Sequence, residues 1–369
     1  MSGADTSVVV APVTPADPVL VDALGGSRHL CIVLLTGLGD VVHGLPIACA
    51  LRRRRPDLRI TWIAEPMPAG ILGGHAAIDR VVMFHRKRGW RGVRALRAAL
   101  RADPADLTLD LNVYFKAVFP TLLSGAPQRV GFGRDRARDA TWLFHNRHLP
   151  ARPRRHTMDM FLEFLDVLGV PADPLEWRLD LTDEEREEQR RFFGALDGRP
   201  VALIAATSAN AKKDWVTKRW AVLADALDRD HGMRVVLIGG PGERETRVAR
   251  AIIARAEHPP VFALGDGVRR LIWLIEGARL LVAPDTGPVH IARALGVPVI
   301  GLYGHTNPWR VGPWRSFADL WVDAYNPPDS APDASAADPR HGRMETITVE
   351  RVLERVRHAA VRYGVTDPV

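Results

Sequence analysis

Asp285, Thr286 and Gly287 stand in succession behind the apolar run LLVA (280–283), and a helical pattern begins directly after them. A glycine at such a corner lets a ligand approach the backbone closely. The unpaired N–H groups of a helix start favour an anion, and Thr286 adds a hydroxyl donor. The corner is therefore suited to a phosphate. A carboxylate is repelled by phosphate, so Asp285 reads either as a cap for the helix or as an acceptor for sugar or ribose hydroxyls. An ordinary capped turn would carry the same residues. Pro288 suits the first turn of this helix and Gly296 its C-cap, and VPVIGLYG reads as the following strand. His290 falls one turn into the helix, where it either packs or takes part in chemistry.

Two further corners pose the same question. TGLGDVVH (36–43) follows the apolar HLCIVLL. It has Gly37 and Gly39, but Val42 stands where a dinucleotide fingerprint needs its third glycine, and no Gly-Lys-Ser/Thr makes it a P-loop. It offers one carboxylate, Asp40, at the C-terminal end of a strand, the edge at which open α/β sheets bind ligands. Asp40 reads either as a general base or as a helix N-cap. TSANAKKDWVTKRW, after VALIAA (201–206), supplies Thr207, Ser208, Lys212, Lys213 and Lys218. Hydroxyls and lysines there suit a diphosphate, or simply a solvated turn. Glu243 and Glu245 in GGPGERE begin another helix, placed either to hold ribose hydroxyls or to favour the helix N-terminus. HNRH (145–148) lacks the ligand-rich surroundings of a metal site. DRD (228–230) lies at a helix end instead of after a strand, and no serine sits in a nucleophile elbow.

The elements that must position these corners form two series. In the first, HLCIVLL, RITWIAE (59–65), DLTLDLNVY (106–114) and RVGF (129–132) read as strands separated by helical patterns, the unit of a parallel α/β sheet. HTMDMFLEFLDVLGV (156–170) adds a helix. Near Thr182 the texture turns polar, and Thr182 and Glu185 have capping-box spacing. A second series then runs through VALIAA, RVVLIGG (234–240), LLVA and VPVIGLYG. The expected division is a flexible tail over 1–28, one α/β domain over 29–181, a second over 182–323, and a surface loop with a last amphipathic helix over 324–369.

The 369 residues suit two domains, and no apolar run approaches the roughly 20 residues of a membrane span. The N-terminus lacks the basic and apolar regions of a signal peptide, and two cysteines give no disulfide or zinc framework. A cytoplasmic location follows as the expectation. The net charge of +7 favours anionic partners. The block from His85 to Pro104 is strongly basic, either a solvated helix face or a docking surface for an acidic partner. No nucleic-acid-binding signature is present, so no nucleic acid is expected.

Taken together, the corners resemble glycosyltransferase family 9, the lipopolysaccharide heptosyltransferases. DTGPVHIARALGVPVIGLYGHTNP looks like that family's C-terminal signature and LTGLGDVVHGLP like its N-terminal loop. LDLNVYFKAVFPTLLSGAPQRVGF is similar to its acceptor-side segment. LFHNRHLP and KKDWVTKRW resemble stretches of the heptosyltransferase I branch. The likeness runs over residues 29–323. Thr36 and Gly37 depart from the family's paired serines, and the lysine loop is one residue longer.

The resemblance implies a GT-B fold, two Rossmann-like domains facing across a cleft. It implies inverting transfer of heptose from ADP-L-glycero-D-manno-heptose to the Kdo or heptose of the lipopolysaccharide inner core. Asp40 would be the catalytic base, with Gly39, His43 and Lys116 on the acceptor side. Thr207, Ser208, Lys213, Glu243, Asp285, Thr286, Gly287 and His290 would hold the donor, with Lys212 and Lys218 as alternatives to Lys213. No metal and no cofactor are implied, since the donor is a substrate. The partner would be an anionic lipid-linked core, with peripheral contact at the inner membrane. Transfer of another nucleotide-sugar, or a non-catalytic scaffold of the same fold, are the alternatives; a dinucleotide oxidoreductase fits less well.

Overall fold

Twelve strands form two separate six-stranded sheets in the structure, a computed structural model that describes residues 14–367. The first sheet contains β1 (His29–Val33), β2 (Arg59–Ala64), β3 (Arg80–Met83), β4 (Leu107–Asp110), β5 (Gln128–Gly131) and β6 (Arg147–His148). The second contains β7 (Val201–Ile204), β8 (Arg234–Leu237), β9 (Val261–Phe262), β10 (Leu280–Pro284), β11 (Val299–Tyr303) and β12 (Val322–Asp323). Every pairing is parallel. The orders are β3-β2-β1-β4-β5-β6 and β12-β11-β10-β7-β8-β9. Counted from its own first strand, each half has the order 3-2-1-4-5-6 of a Rossmann sheet. The sequence explains why: β7 and β10 are apolar throughout, β1 and β11 are so apart from His29 and the Tyr303 hydroxyl, and all four are wholly buried, as strands covered on both faces must be.

Parallel neighbours need crossovers. The helices are α1 (Pro18–Gly26), α2 (Leu38–Arg54), α3 (Pro66–Leu72), α4 (Trp90–Arg101), α5 (Val118–Leu123), α6 (Thr157–Val167) and α7 (Asp183–Gly194) in the first stretch. They continue with α8 (Thr217–Arg229), α9 (Glu243–Ile253), α10 (Gly267–Glu276), α11 (Gly287–Leu295), α12 (Pro308–Val311) and α13 (Val349–Tyr363). The capping box forms at α7: Thr182 accepts from the Glu185 N–H while Glu185 accepts from the Thr182 N–H. Gly296 ends α11 at φ 74°, the left-handed conformation that favours glycine.

The largest apolar core runs from Leu45, Trp62 and Phe164 of the first half to Ile272, Trp273 and Val289 of the second. The halves therefore share packing and are not merely tethered. A second core, with Trp220, Leu302, Val352 and Val356, binds α13 to the second half. The last helix thus completes that half instead of standing apart with the loop before it. Residues 326–342 carry no helix or strand.

The flexible tail expected over 1–28 holds for none of its described part. Residues 1–13 lie outside the described residues. From residue 14 the chain is docked: the Thr14 N–H donates to Asp166, Asp17 caps α1, and Leu20 and Leu24 are buried in the main core. Arg55 adds bonds to the carbonyls of Leu24, Gly25 and Ser27.

Candidate active site

In each sheet the strand order reverses beside its first strand, between β1 and β4 in one half and between β7 and β10 in the other. Ligands of open α/β sheets bind beyond the C-terminal ends of strands at this point. The loops after β1, β7 and β10 all open into one cleft of about 650 Å³. The first half contributes Gly37, Leu38, Gly39, Asp40 and His43. Facing them are Thr207, Ser208, Lys213, Glu245, Asp285, Thr286, Gly287 and His290.

On the second half, Asp285 accepts from Lys213 Nζ at 2.7 Å and from Thr306 Oγ1 at 2.9 Å, with His290 Nε2 3.8 Å from its other oxygen. Burial alone would raise its pKa, but Lys213 and His290 outweigh burial and hold the carboxyl below the ordinary range. Neither the Asp285 nor the Thr286 side chain caps α11. Thr286 is the N-cap residue and its side chain makes no cap bond, so the capping alternative fails and the helix start faces the cleft without a side-chain cap. The three lysines also separate. Lys213 reaches the cleft, whereas Lys212 and Lys218 are exposed outside its lining.

The loop after β7 is held from within. Ser208 is buried, its hydroxyl donates to the Asn210 carbonyl at 2.7 Å, and its N–H donates to Asp214 at 2.8 Å. Arg244 bridges the Asp214 carboxylate and the Ser208 carbonyl. Ser208 thus shapes the loop with its hydroxyl already engaged, while the half-buried Thr207 borders the cleft. Glu243, expected on the ribose, is exposed and outside the lining; Glu245, two residues on, borders the cleft in its place. The reason is helical phase, since positions two apart on a helix point to different faces.

On the first half, α2 starts behind Gly37, whose φ of 85° and close approach to Asp40 both require glycine. A Cβ at Gly37 would lie 2.3 Å from Asp40 Oδ2. Asp40 is the third helical residue, and the helix has no side-chain cap bond, so its N-cap alternative fails as well. Burial raises the Asp40 pKa and the Asp285 charge adds to this, while His290 and Lys116 pull it back. A carboxylate poised above its ordinary range, in a cleft, has the property a general base needs near neutral pH.

Lys116 does not line this cleft. It donates to Thr36 Oγ1 in the loop before α2 and borders a neighbouring cavity. Burial lowers the pKa of its ammonium group, against the pull of Glu65 and Asp40.

The two halves touch through the first turns of α2 and α11. A Cβ on Gly39 would lie 2.3 Å from His290 Cδ2, and one on Gly287 would lie 2.8 Å from Leu38 Cδ2. His43 sits behind this seam, with both ring nitrogens unpartnered. Its ring lies 4.4 Å from that of His290 and 5.5 Å from that of His156. Burial first, then the neighbouring histidines, hold His43 well below the usual histidine pKa. Burial likewise lowers His156 to about 4, although its Nε2 bonds the Gly312 carbonyl at 2.9 Å. His43 and His156 therefore form a neutral imidazole pair between the halves.

Sequence reasoning missed Arg244, Thr306 and His156 as parts of this architecture. Thr306 lies within the quoted YGHTNP stretch, but nothing local marks it as a partner of Asp285. His145 of HNRH is structural, with Nε2 3.0 Å from the buried Asp110.

A family model described as glycosyltransferase family 9 (heptosyltransferase) matches residues 93–331. The chain belongs to glycosyltransferase family 9. The lipopolysaccharide core heptosyltransferase OpsX of Haemophilus influenzae is 31% identical over 294 residues, covering 79% of this chain and 84% of that protein. Lipopolysaccharide heptosyltransferase 1 of Pseudomonas aeruginosa is 28% identical over 313 residues, 80% of this chain and 84% of its own. Among solved structures, the family 9 glycosyl transferase of Veillonella parvula matches with a TM-score of 0.76 at 21% identity, over 90% of this chain and 97% of that one. E. coli heptosyltransferase WaaC with ADP-2-deoxy-2-fluoro heptose matches with a TM-score of 0.68 at 21% identity, over 90% and 100%. These structures share the GT-B fold with this glycosyltransferase: two Rossmann-like halves around one cleft.

Proposed function

We propose that this family 9 glycosyltransferase moves a heptose, with inversion, from ADP-L-glycero-D-manno-heptose to the Kdo or heptose inner core of lipopolysaccharide. The observation that carries the reading is the opposition of Asp40 on one half to Lys213, Thr286 and the α11 start on the other, across a single cleft. The names of the relatives support the sugar and the acceptor class.

In this reading the donor diphosphate lies against Thr207, Lys213 and the N–H groups at Gly287, and Glu245 reaches the ribose. Asp40 takes the proton of the acceptor hydroxyl as that oxygen attacks the anomeric carbon. The bond from that carbon to the phosphate oxygen breaks, and ADP departs with the electron pair. Lys213 and the helix start stabilise the charge that develops on the leaving diphosphate. Lys213 exchanges the Asp285 carboxylate for the diphosphate, or holds both, so Asp285 keeps the ammonium in place before the donor arrives.

The test is ADP release from ADP-heptose with and without Kdo-bearing lipid A, followed by mass analysis of the lipid. Acceptor-dependent release with one heptose added establishes donor and acceptor together. ADP binding without release would sink this pairing and leave another nucleotide-sugar or a scaffold role.

A further inference from the structure

Residues 326–342 form a long strap without helix or strand, and four of them are prolines, which offer no N–H to any regular pairing. Segments of this length inside a compact domain are commonly either functional or unstructured. This one is tied down, and its anchors stand beside the donor corner. Strand β11 ends at Tyr303 and runs into Gly304, His305, Thr306 and Asn307. A Cβ on Gly304 would lie 2.6 Å from the Met344 nitrogen, so the chain leaving the strap presses on that backbone. The buried His305 donates from Nδ1 to the Arg340 carbonyl at 2.9 Å, and the Arg340 N–H donates back to the His305 carbonyl at 3.0 Å.

Asn307 is the central anchor. It is 3% exposed, and its amide uses both donors and both acceptor positions. Nδ2 donates to the carbonyls of Asp333 at 2.6 Å and Ala336 at 3.1 Å, in the middle of the strap. Oδ1 accepts from the Trp309 N–H, which caps α12, and from Asn326 Nδ2, both at 3.2 Å. Thr306, between the two anchors, turns the other way. Its hydroxyl donates at 2.9 Å to Asp285 Oδ2, the oxygen that also accepts from Lys213. Among the described residues that line the cleft, none comes from 326–342. The most direct route from the strap to a bound ligand is therefore this tripeptide.

We infer that His305 and Asn307 are positioning residues that couple the strap to the donor corner, so that strap order and donor affinity reinforce each other. This rests on the proposed reading of that corner as the cradle of a nucleoside diphosphate. With the strap anchored, Thr306 is held against Asp285 and shares its charge with Lys213, which leaves the ammonium group free to turn to the diphosphate. With the strap released, Thr306 drifts from Asp285. The carboxylate then falls back on Lys213 and His290 and competes with the diphosphate for the ammonium. Such a coupling is reciprocal: donor binding must tighten the strap by the factor by which the strap tightens donor binding.

Asn307→Asp isolates the strap bonds. Aspartate caps a helix as well as asparagine does and still accepts from Trp309 and Asn326, but it has no donor for the Asp333 and Ala336 carbonyls. Thr306→Val removes the hydroxyl and leaves the anchors. Each variant should weaken ADP binding, read by calorimetric titration, by about fivefold or more, the lower end of ordinary coupling. The double variant should bind no more weakly than the weaker single one, because both changes break one route, whereas unrelated structural losses add. In the wild type, saturating ADP should slow amide exchange at Arg340 by about the factor lost in Asn307→Asp. Thr306→Val should abolish that slowing and, without nucleotide, exchange faster at Arg340 than the wild type. Wild-type ADP affinity in Asn307→Asp, additive losses in the double variant, or Arg340 exchange indifferent to ADP would each overturn the inference. A wild type that binds ADP but transfers no heptose would sink the proposed reaction and leave the coupling standing. One that binds no ADP would sink the proposed donor; the ligand-free exchange of Thr306→Val then decides the coupling, and a rate equal to that of the wild type would overturn it.

Discussion

Replacing Gly39 by alanine tests whether the seam between the two halves must be as tight as it stands. The new Cβ would lie 2.3 Å from His290 Cδ2, whereas carbon atoms in good contact are roughly 3.5–4.0 Å apart. Something must therefore move by more than about 1 Å. His290 is poorly placed to yield, because it is buried, packed on His43 at 4.4 Å and close to Asp285. The backbone at Gly39 is helical, and alanine costs nothing there locally. The strain falls on the spacing between α2 and α11, which sets the distance from Asp40 to the donor corner. A misplacement of about 1 Å can cost on the order of 100-fold in rate. Gly39→Ala should thus lower kcat about 100-fold, with ADP affinity preserved because the donor corner lies on the other half. The assay is ADP release at saturating substrates, beside calorimetric ADP titration. Wild-type kcat in a folded Gly39→Ala protein would refute the idea that this contact sets the working geometry.

Asp40→Asn should lower kcat by about 10²- to 10⁴-fold, the usual worth of a general base, while nucleotide affinity survives. Because the folded protein raises the Asp40 pKa, its stabilising contribution is complete in acid and is lost as pH rises through the folded value. Asp40→Asn should therefore raise Tm at neutral pH, by a margin that vanishes below about pH 4; a pH-independent margin would sink this. Lys213→Ala should weaken ADP binding by about 10- to 100-fold, the range for a bond to a charged group, with Lys212→Ala and Lys218→Ala near wild type in the same titration. Asp285 behaves oppositely to Asp40: its pKa is held down, so Asp285→Asn should lower Tm at neutral pH, and the deficit should shrink as thermal melts are moved into acid.

The three corners were legible because each is a local event, a polar, glycine-bearing turn directly behind an apolar strand. The same locality made α2, α7, α11 and α13 readable. What escaped was decided by distant parts of the chain. Helix α1 is nine residues long and ends in two glycines, so only its docking of Leu20 and Leu24 into the core reveals it. Edge strand β3 is half-exposed and carries no alternation that a window could detect. Glu245 was on the page beside Glu243, but the choice between them depends on where α9 begins to turn. Arg244 bonds to residues 30 and 36 positions away, and Gly39 meets a histidine on the other half. No spacing within either corner encodes those meetings.

The matching strand orders of the two halves carry a consequence for how the molecule could ever be divided. Each half owns a complete sheet and its own ligand-binding edge, yet Asp40, the base proposed above, belongs to one half, and Lys213 with the α11 start, the proposed nucleotide cradle, belongs to the other. Neither is an enzyme in miniature. On that proposal the arrangement works as a lock with two keys: a donor on its own half finds no base, and an acceptor on the other finds no activated sugar.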